Sequence, residues 1–198
     1  MISFSSFRRF RDANQETAAE LLMTPTALAD LTAADARAVA GLMVYRRVSS
    51  GTVFIKEGEV THTDFMMLIL DGEVSVESEL ASADGKLVMF ILGSGSLIGE
   101  MGLLDGAPRS ASCTASTDLA VAVITRDVLL KLIQRKPLIA ARLLLAISKR
   151  MADRLREANR KIKTMGGLNR ALQLELDSAH RANETLVRKG VRPSSVRA

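Results

Sequence analysis

The chain has 198 residues, 47% of them apolar and 25% charged, with a formal net charge of +5; this composition suits one soluble globular domain plus one additional element. Aromatics are 4% with no Trp, which argues against an aromatic platform for single-stranded nucleic acid. The single cysteine, Cys113, excludes a disulfide framework, a Cys-rich zinc site and a four-cysteine iron–sulfur cluster, and fits a reducing compartment.

Residues 1–25 form a polar, basic arm of helical potential, with Arg8, Arg9 and Arg11 clustered. The arm contains no continuous apolar run of the signal-peptide kind. Nowhere does the chain reach the roughly 20 apolar residues of a membrane span, so the expectation is a cytoplasmic protein without a transmembrane segment. From Leu28 to Met43 apolar residues recur at helical spacing, with Thr32 and Asp35 as a capped start.

After Tyr45 the pattern turns to strands. Val44–Ser49 and Gly51–Lys56 read as a hairpin, and the run from Phe65 to Glu77 reads as two strands joined at Asp71-Gly72. A further strand, Leu87–Leu92, is flanked by Ala83-Asp84-Gly85-Lys86 and by the turn Gly93-Ser94-Gly95-Ser96. Ala111–Ser116 and Leu119–Thr125 supply a last pair, followed by a helix over Arg126–Gln134. Short strands with glycine turns predict an antiparallel sandwich or barrel with helices at both ends, an α+β fold.

Residues 98–112, IGEMGLLDGAPRSAS, carry the chemistry. Gly99, with no side chain, lets backbone approach a ligand closely. The following residues can make one helical turn whose free N–H groups favour an anion. Arg109 can hold a phosphate bidentately. Glu100 would repel that phosphate and suits a sugar hydroxyl instead. The ligand implied is a nucleotide with one phosphate close to its sugar.

The stretch resembles the phosphate-binding cassette of cyclic nucleotide-binding domains. Gly99-Glu100, Met101-Gly102 and Pro108-Arg109-Ser110-Ala111 match the family pattern, and Gly51, Gly58, Gly72 and Gly95 fall where that family turns its β-roll. The resemblance spans residues 28–162 and implies an antiparallel, jelly-roll-like β-roll. It further implies that Arg109 and the Ser110 N–H hold the cyclic phosphate, with the Ser110 hydroxyl as a further donor. Glu100 would take the ribose 2′-hydroxyl, and the backbone at Gly99 and Met101 would close the cradle beside Ala111.

From Met151 a 4-3 repeat runs through Leu155, Ala158, Ile162, Met165, Asn169, Leu172, Leu176, Ala179, Asn183 and Leu186. It predicts a coiled-coil seam over five heptads, with asparagines at two a positions that favour a defined dimer. Gly166 and Gly167 fall at e and f, where the helix could kink. In the catabolite-activator branch of the family the corresponding helix dimerises and caps the nucleobase. Ala158 and Asn159 stand where that branch has hydroxyl residues, which makes them the candidate base contacts; asparagine offers a donor and an acceptor. That branch continues into a winged helix-turn-helix, whereas no helix-turn-helix pattern follows here, so sequence-specific DNA is not an expected partner. The basic residues from Lys149 to Lys163 could meet nucleic acid, anionic lipid or an acidic partner, and read first as a solvated helix face.

The sequence thus predicts a 1–25 arm, a 26–136 cyclic nucleotide-binding β-roll, a 137–187 dimerisation helix and a disordered 188–198 tail. The function expected is a non-catalytic sensor of cAMP or cGMP, a homodimeric regulator of bacterial type that signals to a protein effector. The alternative is a scaffold, or an adaptor responsive to a cyclic dinucleotide, acting through its coiled coil. Glu100, Asp105, Asp118, His62 and His180 fit no triad, metal box or P-loop, so neither an enzyme nor a metal site is expected.

Overall fold

The computed structural model describes residues 4–28, 30–79 and 86–188. The chain divides into two compact units, Met1–Arg150 and Met151–Ala198. The first therefore runs past the boundary drawn at residue 136 and takes in the N-terminal segment.

Two four-stranded antiparallel sheets form the centre of the first unit. One has the order β1(Val44–Val48), β8(Leu119–Thr125), β3(Phe65–Asp71), β6(Leu97–Ile98); the other has β2(Val53–Ile55), β7(Ser112–Ala115), β4(Val74–Glu79), β5(Lys86–Leu92). Ile55, Met67, Ile69, Val74, Ile98, Cys113, Leu119 and Val121 form the buried cluster. Most of these are β-branched or long apolar residues at alternate strand positions, which is how a strand shows one face to a core.

The predicted strands exist, but three expected pairings do not, that of β3 with β4 across Asp71-Gly72 among them. β1 pairs with β8, and β2 pairs with β7, so the 44–56 segment is not a hairpin. β7 and β8 likewise lie in different sheets. Alternation records which face of a strand is apolar and carries no information on its partner. The turn at Gly72 passes the chain from one sheet to the other. Its φ is +92°, and a Cβ there would stand 2.4 Å from the Asp118 carbonyl oxygen, so only glycine fits. The 83–85 turn lies outside the described residues.

Helices cover the ends. α1(Phe4–Leu22) packs on α2(Ala33–Ala40) and β3, burying Ala18, Ala19 and Leu22; it is part of the first unit. α2 begins at Thr32, whose hydroxyl accepts the Asp35 N–H at 3.2 Å and donates to the Asp35 carboxylate at 2.6 Å. Residues 25–28 and Asp30 are turns, so the helix starts later than the spacing from Leu28 suggested. A short α3(Glu100–Asp105) follows β6, and α4(Arg126–Arg135) follows β8.

α5 is one helix from Pro137 to Arg188, and Gly166 and Gly167 lie inside it without interrupting it. Its first residues bury Ala140, Leu143, Ala146 and Ile147 within the first unit. In the second unit Leu155, Ile162, Met165, Leu172 and Leu176 are 55–66% exposed. The tail from 189 onward lies outside the described residues. Among the described residues no helix is long and apolar enough to cross a membrane.

Candidate functional site

The site forms where α3 meets the return strand β7. Gly99 ends β6 and caps α3 in the left-handed region, φ +81°, with no side-chain hydrogen bond to the helix start. Gly106 closes the helix in the same conformation, φ +70°, as a C-terminal glycine does. The chain then returns through Pro108 to Arg109.

Arg109 is 5% exposed. Its Nη1 donates to the carbonyl oxygens of Gly99 at 3.2 Å and Phe65 at 3.3 Å, and its Nη2 to those of His62 at 2.9 Å and Phe65 at 3.3 Å. The guanidinium carbon lies 4.3 Å from the centroid of the Phe65 ring, a cation–π contact. Nε is buried with no hydrogen-bond partner. The guanidinium is thus enclosed by main-chain carbonyls and a ring face, none of which carries a full negative charge.

Burial pulls the Arg109 pKa below the ordinary arginine value, while Cys113, Glu59, Asp64 and Glu100 act through space in the other direction. A buried guanidinium hydrogen-bonded to neutral acceptors has the chemistry to take an anion. The main chain reinforces the placement. Arg109 N–H donates to the Glu59 carbonyl at 3.0 Å and Gly58 N–H to the Arg109 carbonyl at 2.8 Å. His62 is, among the described residues, the one non-glycine residue at positive φ (+52°). That conformation costs energy and accompanies the carbonyl it turns on Arg109.

Of the residues expected at the site, Gly99, Glu100 and Met101 are brought beside Arg109, Ser110 and Ala111 in this one corner. Glu100 is 3% exposed, Met101 half-exposed and Ser110 exposed. Ala158 and Asn159 lie on the exposed surface of α5, in the second unit. The sequence missed the ring around Arg109: Phe65, the His62 carbonyl, and Thr63, whose hydroxyl donates to the Gly106 carbonyl at 3.3 Å. It also missed Arg126, the first residue of α4. Its N–H donates to the Asp64 carbonyl at 2.7 Å, and its Nη2 donates to the Leu104 carbonyl near the end of α3. Among the described residues no group of three His, Cys, Asp or Glu side chains is placed to hold a metal ion.

Residues 45–136 match the model of the cyclic nucleotide-binding domain. A solved cyclic nucleotide-binding domain from Methylobacillus flagellatus is 30% identical, covering 76% of this chain and 83% of that one, with a TM-score of 0.67. The cAMP-dependent protein kinase regulatory subunit of Colletotrichum orbiculare is 29% identical over 131 residues, 66% of this chain and 30% of that protein. The cyclic AMP receptor protein of Thermus thermophilus is 38% identical over 95 residues, 48% of this chain and 41% of that protein. The chain therefore spans well under half the length of these two curated relatives.

Proposed function

The chain belongs to the cyclic nucleotide-binding domain family, and on that premise we propose that it is a non-catalytic sensor of a cyclic mononucleotide, cAMP or cGMP, which signals to a protein partner through a dimeric C-terminal helix. The observation that carries the reading is the buried Arg109 guanidinium, whose hydrogen bonds go to neutral carbonyls and whose Nε has no hydrogen-bond partner. A cyclic phosphate supplies the full charge those carbonyls lack, and charge-assisted hydrogen bonds are about twice as strong as neutral ones. Ser110, exposed next to it, adds its N–H and hydroxyl, and Glu100 takes the ribose 2′-hydroxyl.

Occupancy is passed on as a population shift. The carbonyls that Arg109 would exchange for phosphate oxygens belong to Gly99 and to the 62–65 segment. Asp64 of that segment holds the Arg126 N–H, and Arg126 holds the end of α3. Closure of the cassette therefore pulls on the first residue of α4. α4 ends at Arg135, and Lys136 (φ −141°, ψ 65°) leaves helical geometry before α5 begins at Pro137. This break is the hinge. The exposed Leu155, Ile162, Met165, Leu172 and Leu176 form the seam for a second copy, and Ala158 and Asn159 are the α5 residues that would face the base.

Isothermal titration with cAMP, cGMP and cyclic di-GMP tests the reading. Micromolar binding of one cyclic mononucleotide is expected, abolished in Arg109→Leu while the dimer persists by light scattering. Undiminished affinity in that variant overturns the assignment.

A further inference from the structure

The outer face of α5 in the second unit is strongly basic. With the seam residues Leu155, Ile162, Met165, Leu172 and Leu176 at a and d, the b and f positions lie on the far side of the helix. Arg156, Lys163 and Arg170 fall at b and Arg160 at f, a spacing of i, i+4, i+7 and i+14. All four are exposed. At 1.5 Å per residue they make a row about 21 Å long on one side of the helix. The row stops where Leu174 and Asp177 take the next f and b positions.

This is not the balanced charge of a merely solvated helix. Asp153 pairs with Arg156 at 2.7 Å and Glu157 with Lys161 at 3.3 Å, and no acidic residue then follows until Glu175. Among the described residues Arg160, Lys163 and Arg170 have no ion-pair partner. Arg156 and Arg160 stand at i, i+4, and Arg160 and Lys163 at i, i+3, so like charges face one another along the row and lower the stability of the helix. A face that works against its own helix is accounted for by a partner that brings the opposite charge.

The chemistry around the row separates the polyanions that could meet it. A helix that lies on anionic lipid buries an apolar face beside its basic residues. Here the apolar residues stand on the opposite side, and the b, c and f positions from Asp153 to Ala171 hold no large apolar side chain. A protein interface has an apolar centre rich in aromatics, yet no Phe, Tyr or Trp occurs from Met151 onward. The same lack removes any stacking platform for single strands. The phosphate backbone of a duplex asks only for a row of cations. The major groove of B-form DNA, about 12 Å wide, admits an α-helix, whereas that of A-form RNA is too narrow.

We infer that the outer face of α5 docks on double-stranded DNA, with Arg156, Arg160, Lys163 and Arg170 contacting phosphates independently of base sequence. The contact needs no helix-turn-helix, since it reads no base edge. It stands apart from the cyclic-nucleotide reading and uses a face that the proposed seam leaves outward.

The test is fluorescence anisotropy of the full chain with two labelled 20-base-pair DNA duplexes of unrelated sequence, each over a range of salt. Both duplexes should bind alike, with log affinity falling against log salt at a slope of about −3.6 for four phosphates. Arg160→Gln should reduce the slope by about one. The triple variant Arg160→Gln/Lys163→Gln/Arg170→Gln should bind roughly tenfold more weakly or worse, with a slope near −1. Its helicity should hold, because glutamine is a good helix former. Arg46→Gln/Lys131→Gln/Arg135→Gln removes the same charge from exposed positions of the first unit and should keep the wild-type slope. Equal weakening in the two triple variants reduces the effect to net charge and overturns the inference. So does a more than tenfold preference between the duplexes, or no binding of either by the wild-type chain. Binding to phosphatidylserine vesicles or to polyglutamate without binding to DNA would assign the row to a lipid or an acidic protein and also overturns it.

Discussion

Gly102 lies directly against Arg109: a methyl group added at Gly102 would stand 2.9 Å from Nη1 of Arg109 and 2.6 Å from the carbonyl oxygen of Thr63. Helical glycine is a cost in itself, roughly 1 kcal/mol relative to alanine. Here the missing side chain is the space the guanidinium occupies. Gly102→Ala should therefore destabilise by about 1–3 kcal/mol despite its better helix propensity, because the Thr63 main chain must move. It should also weaken cyclic-nucleotide binding. Denaturant melts and titration of the same variant check both.

Asp35 ties α2 to α5. The Thr32 hydroxyl donates to its carboxylate at 2.6 Å and Arg142 Nη1 at 3.0 Å. The Thr32 hydrogen bond, helped by Arg142 and opposed by burial, holds its pKa below the ordinary value. The native state then binds fewer protons than the unfolded chain, so the contribution is complete above the ordinary aspartate range, about 3.9, and is lost as pH falls through the lower folded value. Asp35→Ala should cost about 1–2 kcal/mol at pH 7. Urea titrations at pH 7 and at acid pH should show the gap to wild type narrowing as pH falls.

Nothing lies within 4 Å of a Cβ added at Gly166 or Gly167, and neither has the positive φ that penalises a side chain. The double change to alanine should stabilise α5 by up to about 1 kcal/mol per site. Circular dichroism at 222 nm during heating should show the helix melting later, with nucleotide affinity unchanged.

Ile162 is an exposed apolar residue at an a position of the seam. Ile162→Asp places a charge where two helices would meet, and sedimentation velocity should find monomer. Arg109→Leu should do the reverse, binding no nucleotide and remaining dimeric. The pair separates assembly from ligand recognition.

The site was more legible in the sequence than the sheets were. Gly99, Glu100 and Arg109 fall within eleven residues, so local spacing alone puts them together. Turn glycines were equally plain: Gly51, Gly58, Gly72 and Gly95 all have positive φ. What escaped is main-chain chemistry. The carbonyls of His62 and Phe65 bind Arg109, and a carbonyl leaves no mark in the choice of side chain. His62 reads as an exposed loop residue, which it is, and its contribution is made through the backbone. Strand partners escaped for a related reason: Val53 finds Thr114, sixty-one residues away, and not Val48 nearby. The packing of α1 escaped because the residues it buries, Ala18, Ala19 and Leu22, make too narrow a stripe to stand out among its polar neighbours.

β8 is the last strand of the roll in the chain, yet it lies in the interior of its sheet, between β1 and β3. The order in which the ribosome delivers the strands is thus the opposite of what that sheet requires. Until Leu119–Thr125 has emerged, β1 and β3 have no partner to join them, and β1 must find residues some seventy-five positions downstream. Contacts of such separation close slowly, because the loop entropy comes before the reward. A nascent chain halted before Leu119 holds a nearly complete phosphate cassette on a half-built roll.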